Sequence, residues 1–176
     1  MTVQILAITL ARGGSKGVKN KNIKKINGKP LISYTIKEAK KSKYINDYIV
    51  STDSKEIAKI SQKCGANVPF LRPKKISSDK ASSVDALIHA TIQMEKIKNK
   101  KYDYVIELMC TNPLKNVNDI DNIIKKIKKN KSDSVIAVHR IFDHHPSRVK
   151  KIISGKIVNF CTNETAESRR QDLKPK

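Results

Sequence analysis

The sequence has no tryptophan, few aromatic residues (5%) and only three cysteines, and each shortage narrows what the chain can do. Proteins that hold single-stranded nucleic acids stack the bases on aromatic side chains, which are scarce here. Cys64, Cys110 and Cys161 are far apart and form no CxxC pair, so they favour a reducing compartment over a disulfide framework or a zinc site. No apolar run approaches the ~20 residues of a membrane span. We therefore expect a cytoplasmic protein with no membrane partner.

The chain is strongly basic, with 37 lysine and arginine residues against 16 aspartate and glutamate residues and a formal net charge of +21. A charge of this size is typical of nucleic-acid binders. Only six of the basic residues are arginines, however, and the lysines are spread over predicted helix faces and turns. Arginine is preferred where phosphates are read through a planar fork. The composition therefore favours solvated lysines, and we expect no nucleic-acid partner.

Hydrophobic patterning predicts an α/β protein. Continuous apolar runs with β-branched residues indicate buried strands, and apolar residues at helical spacing indicate helices. The predicted strands are 3–10, 47–52, a short one near Val68, 102–109 and 133–139; the predicted helices are 31–43, 54–65, 82–98 and 116–130. Their alternation indicates βαβ crossovers and a mostly parallel sheet. After residue 139, the segments 149–154 and 156–160 around Gly155 predict a hairpin outside the main sheet.

Three polar segments follow predicted strands directly. Loop 11–22 follows the first strand, Asp53 follows the second, and loop 110–115 follows the strand at 102–109. In open α/β sheets, ligands bind beyond the carboxyl ends of the strands. These segments should therefore face one crevice. Asp53 has an alternative role there, as the cap of the helix that begins at Ser54.

Loop 11–22 reads ARGGSKGVKNKN and is rich in glycine and basic residues. Gly13 and Gly14 allow close backbone approach, so successive N–H groups can point at an anion. Arg12 offers a planar fork, and Lys16 and Lys21 add point charges. The loop is neither a Walker A sequence nor a GxGxxG fingerprint. From its chemistry alone, it is either a polyphosphate loop or a flexible basic turn.

Six segments, in the same order and spacing, resemble the acylneuraminate cytidylyltransferases, the CMP-sialic acid synthetase family. They are ARGGSKGVKNKN, INGKPLISYTI, VSTDSKEIA, FLRP, SSDKASSVDALIHA and RRQDLKP. The resemblance implies a three-layer, Rossmann-like sugar nucleotidyltransferase fold with a mostly parallel sheet and a small dimerisation hairpin subdomain. It implies a nucleotide-binding core over 1–138, a dimerisation or lid subdomain over 139–170, and the start of a segment cut short over 171–176.

The resemblance also implies the activity. Family members join CTP to a nine-carbon α-keto acid sugar, such as sialic or legionaminic acid or a similar nonulosonate, and release pyrophosphate with Mg²⁺. We therefore expect a cytoplasmic homodimeric nucleotidyltransferase with CTP and a nonulosonate as substrates. The carboxylates that hold Mg²⁺ in the family would lie beyond residue 176, so no metal ligand is assigned. The chain is then either a fragment of a longer protein or a shortened paralogue.

Site residues follow from the resemblance, position by position. The CTP-binding residues implied are Leu10, Ala11, Arg12, Ser15, Asn22, Arg72 and Ser83. Arg12, Lys16 and Lys21 would act in catalysis by neutralising charge on the leaving pyrophosphate. Asn22 would donate and accept at a pyrimidine edge, whereas Ser83 has a second reading as a helix cap. Arg170 and Gln171 would contact the sugar.

One segment departs from the sialic acid enzymes. Where they read LQPTSPLR, residues 108–115 read LMCTNPLK. Met109 replaces a glutamine that contacts the sugar, and Lys115 replaces an arginine, which removes bidentate capacity. Because GGSKGVKNKN and RRQDL look more like the legionaminate-type branch, we expect a bacterial nonulosonate other than the common sialic acid.

Two alternatives to this function remain from the sequence. One is a 3-deoxy-manno-octulosonate cytidylyltransferase, which acts on an eight-carbon sugar acid. The other is a non-catalytic nucleotide- or nucleic-acid-binding module. Histidines give little guidance, because the adjacent His144 and His145 point in different directions and suit metal binding poorly. His89 is expected to pack within the predicted helix 82–98.

Overall fold

A computed structural model describes residues 3–15, 17–78, 81–138 and 149–161, which form two compact units over 1–135 and 136–176. In the first unit the strands are β1 (Ile5–Leu10), β2 (Lys25–Ile26), β3 (Lys29–Pro30), β4 (Asp47–Ser51) and β5 (Tyr104–Glu107). Its α-helices are α1 (Leu31–Ala39), α2 (Lys55–Lys63), α3 (Ser83–Lys98) and α4 (Val117–Asn130). Short 3₁₀ turns lie at Lys21–Ile23 and Lys74–Ile76.

The main sheet is parallel and has the strand order β4–β1–β5. Leu6 pairs with Asp47 of β4, and Ile5 pairs with Tyr104 of β5, so the three strands end at the same edge. The central strand β1 is almost wholly buried, as its continuous apolar sequence predicts. Helices cover both of its faces, and the loops after the strands therefore meet above one edge.

Helix α3 covers one face of the sheet, and α1, α2 and α4 cover the other. Towards α3, the buried contacts join Leu6, Ile8 and Ile49 to Ala90 and Met94. On the opposite face, Ile5, Ala7 and Val50 pack in clusters with Ile32, Ile36, Ile57, Ile120 and Ile124. This is the three-layer α/β arrangement with a mostly parallel sheet that the sequence predicts.

All four predicted helices are present, with small differences at their ends. Ser54 caps α2, its Oγ accepting from the Ile57 N–H at 3.3 Å, and Asn116 forms a capping box with Asp119 at the start of α4. Helix α1 ends at Ala39, four residues before the predicted end, because residues 40–43 are lysine, lysine, serine and lysine and offer no apolar side chain to the core.

The strand predicted over 133–139 is wrong. Residues 133–138 form no strand, and Ile136 and Val138 are 79% and 80% exposed. An apolar run forms a strand only where a neighbouring backbone accepts its hydrogen bonds, and no other described segment pairs with these residues. The short strand predicted near Val68 is reduced to two isolated parallel bridges, Ile49 to Asn67 and Thr52 to Leu71.

The second unit contains the predicted hairpin, with β6 (Lys150–Ile153) antiparallel to β7 (Lys156–Asn159). Ser154 and Gly155 form the two-residue turn, with φ of +50° and +75°, the backbone of the type I′ turn that joins tight hairpins. Its role in dimerisation and the domain bounds at 138 and 170 stay predictions.

Candidate nucleotide-binding site

A cleft of about 640 Å³ lies beyond the carboxyl ends of β1 and β5. Seven residues that the sequence predicts as functional line it: Leu10, Arg12, Ser15, Lys21, Asn22, Arg72 and Ser83. Ala11 is fully buried behind the wall. Lys16, Arg170 and Gln171 lie outside the described residues, as do His144 and His145. The structure thus brings predicted residues from three separate segments to one cavity.

The start of loop 11–22 is held by the strand and loop beside it. The Ala11 N–H donates to the Ser51 carbonyl at 3.0 Å, and the Gly13 N–H donates to Asp53 Oδ1 at 2.9 Å. Gly14 follows with φ of +65°, in the left-handed region that favours glycine. Asp53 does not cap α2, because Ser54 does. Its carboxylate instead fixes the backbone from which Arg12 projects.

Exchanging two adjacent residues separates these roles. If the cleft binds CTP, as the resemblance implies, Asp53→Ala should weaken that binding by about 5- to 10-fold, since it removes a charge-assisted hydrogen bond that orders the loop. Ser54→Ala should instead lower the free energy of unfolding by about 1 kcal/mol through loss of the α2 cap and leave CTP affinity unchanged. Calorimetric titration and thermal unfolding of both variants measure these effects. CTP binding to Asp53→Ala that equals or exceeds the wild type contradicts the positioning role.

Asn22 is 5% exposed, and protein groups already engage its amide. Its Nδ2 donates to the Arg12 carbonyl at 3.0 Å, and its Oδ1 accepts from Cys110 Sγ at 3.0 Å. One N–H and one oxygen lone pair are therefore committed inside the wall. The structure thus gives Asn22 a role in holding the loop, and its predicted contact with the pyrimidine edge stays a prediction.

Arg72 forms a buried cationic part of the wall and is 5% exposed. Its backbone N–H donates to the Thr52 carbonyl at 2.8 Å, and its Nε donates to Ser77 Oγ at 3.0 Å. Burial lowers the pKa of the Arg72 guanidinium; the Asp53 charge acts in the opposite direction, and the Arg12 charge lowers the pKa further. Two like charges on one wall repel, and an anion bound between them would relieve that repulsion.

The N-terminus of α3 lies on the cleft and settles the capping alternative for Ser83. Ser82 is the cap, with its Oγ accepting from the Val84 N–H at 3.1 Å. Ser83 is the first helical residue, exposed and on the cleft. Its hydroxyl is thus not used as the cap, and the positive end of the helix dipole adds to an environment that favours phosphate.

The loop after β5 is held by Lys115, whose ammonium points into the protein. Its Nζ donates to Thr35 Oγ1 at 2.8 Å, to the Met109 carbonyl at 2.7 Å and to the Asn112 carbonyl at 2.5 Å. Burial lowers the pKa of Lys115. All three N–H groups of Lys115 are thus engaged. We call this set of contacts the Lys115 clamp, because it ties the loop after β5 to itself and to Thr35 of α1. Met109, by contrast, is 58% exposed and lines the cleft.

Glu107 is a cleft residue that sequence reasoning missed. It ends β5 and lines the cleft, and strand alternation places it on the same face as Met109. That alternation was the available signal. Among the described residues no group of three or more histidine, cysteine, aspartate or glutamate side chains could hold a metal ion.

His89 packs as expected. Its ring meets Phe70 edge-on, with centroids 5.5 Å apart, and burial lowers the pKa of its imidazole. It does not line the cleft.

Within the described part of the chain, no helix is long and apolar enough to cross a membrane.

Basic and hydroxyl side chains are gathered beyond the strand ends of a three-layer, mostly parallel α/β sheet, the place where open α/β sheets bind ligands. The chain belongs to the cytidylyltransferase family, which matches residues 6–165. Its curated relatives are nucleotidyltransferases, so the chain belongs to an enzyme family of that class. The resemblance drawn from the six motifs is confirmed.

Individual relatives show how far the similarity extends. The chain is 36% identical over 167 residues to the post-translational flagellin modification protein B of Campylobacter coli, covering 92% of this chain and 71% of that protein. It is 36% identical over 168 residues to a pseudaminic acid cytidylyltransferase of Campylobacter jejuni, covering 96% and 72%. With a CMP-N,N'-diacetyllegionaminic acid synthase of the same species it shares 40% identity over 110 residues, covering 62% and 47%.

Solved structures support the fold. The structure of CMP:2-keto-3-deoxy-manno-octonic acid synthetase complexed with CTP matches with a TM-score of 0.61 at 19% identity, over 73% of this chain and 49% of that one. A 4-diphosphocytidyl-2C-methyl-D-erythritol synthase matches with a TM-score of 0.59 at 10% identity, over 89% and 67%. At these identities the likeness establishes the fold alone, and it confirms the predicted nucleotidyltransferase architecture.

Proposed function

We propose that the cleft binds CTP and that the chain transfers its cytidylyl group to the anomeric hydroxyl of a nine-carbon α-keto acid sugar. The anomeric oxygen attacks the α-phosphorus, the bond to the β-phosphate oxygen breaks, and pyrophosphate leaves. The observation that carries the proposal is the convergence of seven motif residues on one cavity in a chain of the cytidylyltransferase family.

The cationic wall suits a triphosphate. Arg12, Lys21 and Arg72 line the cleft and would neutralise charge that builds on the departing pyrophosphate. The hydrogen bond from the Gly13 N–H to Asp53 holds the backbone next to Arg12 in place. Phosphoryl transfer of this kind depends on positioning and electrostatics more than on covalent help from the protein. The predicted role of Lys16 rests on the motif alone.

Mg²⁺ is proposed to accompany CTP, as the resemblance implies. When bound, it would neutralise charge on the phosphate oxygens. We assign no residue to it. Glu107 is a carboxylate on the cleft wall.

For the sugar, we propose a bacterial nonulosonate of the pseudaminic or legionaminic type. Relatives that carry those names are 36% and 40% identical to this chain. Met109 also supports a sugar of this type. Its exposed thioether on the cleft cannot replace the hydrogen bonds of the amide found in the sialic acid enzymes, and it favours contact with methyl groups. The octulosonate alternative has only a fold match at 19% identity, which does not bear on the substrate. A homodimer is proposed from the resemblance alone.

Titration of the chain with CTP, and with ATP as a control, tests the nucleotide. We expect CTP to bind at least about tenfold more tightly than ATP in near-physiological salt with Mg²⁺, a difference of about 1.4 kcal/mol. Binding that ignores the base and collapses as salt is raised would instead support the non-catalytic polyanion-binding alternative.

A panel of sugars then tests the acceptor. Pyrophosphate release is measured with pseudaminate, legionaminate, N-acetylneuraminate and the eight-carbon octulosonate at equal concentrations. We expect one of the first two to have the highest kcat/KM. Equal or better turnover of N-acetylneuraminate or of the octulosonate would overturn the proposed sugar class.

A further inference from the structure

Two hydrogen bonds in series join the loop after β5 to the loop after β1. Cys110 Sγ lies 3.0 Å from Asn22 Oδ1, and Asn22 Nδ2 lies 3.0 Å from the Arg12 carbonyl oxygen. Cys110 and Asn22 are 2% and 5% exposed, so water does not compete for these bonds. Both loops line the same cleft. A side chain on the β5 side is therefore tied to the backbone of the basic loop.

The chemistry fixes the direction of both bonds. The Arg12 carbonyl can only accept, so the nitrogen of the Asn22 amide must face it. The amide oxygen then faces Cys110, and the thiol must be the donor. Burial raises the pKa of the Cys110 thiol, with the Lys115 and Lys21 charges acting the other way. The thiol therefore keeps the proton that it donates at neutral pH.

Removing the Cys110 donor is costly because of its surroundings. Cys110 packs in an apolar cluster with Ala11, Ile32 and Ile36. An amide oxygen in such a setting costs free energy when its partner is removed. In the LQPTSPLR motif of the sialic acid enzymes, a proline stands at this position, and proline has no side-chain donor. The bond between these loops is therefore a feature of the LMCTNPLK sequence of this chain.

We propose that Cys110 is a positioning residue for the nucleotide: its thiol fixes the Asn22 amide, which fixes the backbone of Arg12 at the phosphate wall. The inference rests on the proposed function, since it assigns the consequence to CTP binding. Cys110 itself takes no part in bond making. It transmits the position of the loop after β5, which carries Met109, to the loop that carries the cationic groups.

Two substitutions that differ by one hydroxyl test the donor. Cys110→Ser keeps an O–H that can donate to Asn22, whereas Cys110→Ala removes the donor at nearly the same volume. We expect CTP to bind Cys110→Ser within about twofold of the wild type and Cys110→Ala about 3- to 10-fold more weakly, the range of one lost hydrogen bond. Cys64→Ala, which changes a thiol away from the cleft, should bind CTP as the wild type does.

A double-mutant cycle separates positioning from general stability. Asn22→Ala removes the acceptor, so adding Cys110→Ala to it should weaken CTP binding no further, which is the non-additivity expected of one chain of contacts. Thermal unfolding is recorded for each variant. If Cys110→Ala proves unfolded, the comparison of Cys110→Ser with Asn22→Asp carries the test, because aspartate keeps the acceptor and loses the donor to Arg12.

The outcomes distinguish this inference from the function on which it rests. Additive effects of Cys110→Ala and Asn22→Ala, or equal CTP affinity of folded Cys110→Ala and wild type, would overturn the positioning role while the proposed function stands. If CTP binds Asn22→Asp as tightly as it binds Cys110→Ser, the positioning role is likewise overturned while the proposed function stands. Failure of the folded wild type to bind CTP would overturn both. Weak binding by Cys110→Ala, restored in Cys110→Ser, with no further loss in the double variant, supports the inference.

Discussion

Arg12→Ala is expected to weaken CTP binding by about 10- to 100-fold, the range that corresponds to one hydrogen-bonded charge at 1.5–3 kcal/mol. Arg12 lines the cleft, and its backbone is fixed by neighbours on two sides, through Gly13 to Asp53 and through its own carbonyl to Asn22. A backbone that is held in this way presents the Arg12 side chain to phosphate oxygens without the loop first being ordered. Calorimetric titration with CTP measures the loss.

Two controls make this result specific. Lys129→Ala removes one positive charge from the exposed face of α4, away from the cleft, and should leave the CTP affinity unchanged. Arg12→Lys keeps the charge and loses the planar fork, so its affinity should lie between those of the wild type and Arg12→Ala. If Lys129→Ala weakens binding as much as Arg12→Ala does, CTP is attracted by the net charge of the chain, and the assignment of the cleft is wrong.

Arg12 and Arg72 together explain why total charge is a poor guide to this site. The chain carries a net charge of +21, yet most of that charge lies on solvated lysines, where salt screens it. The two guanidiniums differ from those lysines because both line one cleft wall and that of Arg72 is buried. The local repulsion between them makes anion binding favourable there. The affinity of this site for an anion is therefore set by the groups around the basic loop and not by the net charge of the chain.

The sequence predicts those parts of the site that depend on local order. A strand followed by a glycine-rich loop is recognisable from neighbouring residues, so Arg12 and Lys21 could be predicted to face one crevice, whereas Ser83 was predicted from the family resemblance. The same local logic predicted the hairpin around Gly155. It failed for 133–139, because an apolar run does not by itself supply a neighbouring strand with which to pair.

The contacts that hold the site could not be predicted in this way. Asp53 meets Gly13 across 40 residues of sequence, Lys115 meets Thr35 across 80, and Cys110 meets Asn22 across 88. Such pairs form only when the parallel sheet has brought its strand ends together. The sequence offered two readings of Asp53, and only the position of the Gly13 N–H decides between them. The sequence comparison sets Lys115 against an arginine, whereas in the structure its ammonium donates to the Thr35 hydroxyl and to two carbonyls of its own loop.

Lys115 therefore leads to a prediction about stability. Lys115→Met keeps a long flexible side chain of similar length but removes three donors. The Met109 and Asn112 carbonyls then lose a partner, as does the hydroxyl of the fully buried Thr35. The two exposed carbonyls can bond to water instead, whereas the buried hydroxyl left unsatisfied costs about 1–3 kcal/mol, which relief of the ammonium's desolvation offsets in part. We expect the free energy of unfolding to fall by about 1–2 kcal/mol, measured by urea denaturation.

The matched control is Lys129→Met, which changes the same residue type on the exposed face of α4. Surface substitutions of this kind stay within about 0.5 kcal/mol of the wild type. Because Lys115 holds the loop that presents Met109, a folded Lys115→Met should also raise the KM for the sugar more than the KM for CTP. A stability equal to that of Lys129→Met would show that the clamp does not form. A loss of sugar binding without any loss of stability would place the ammonium on the substrate.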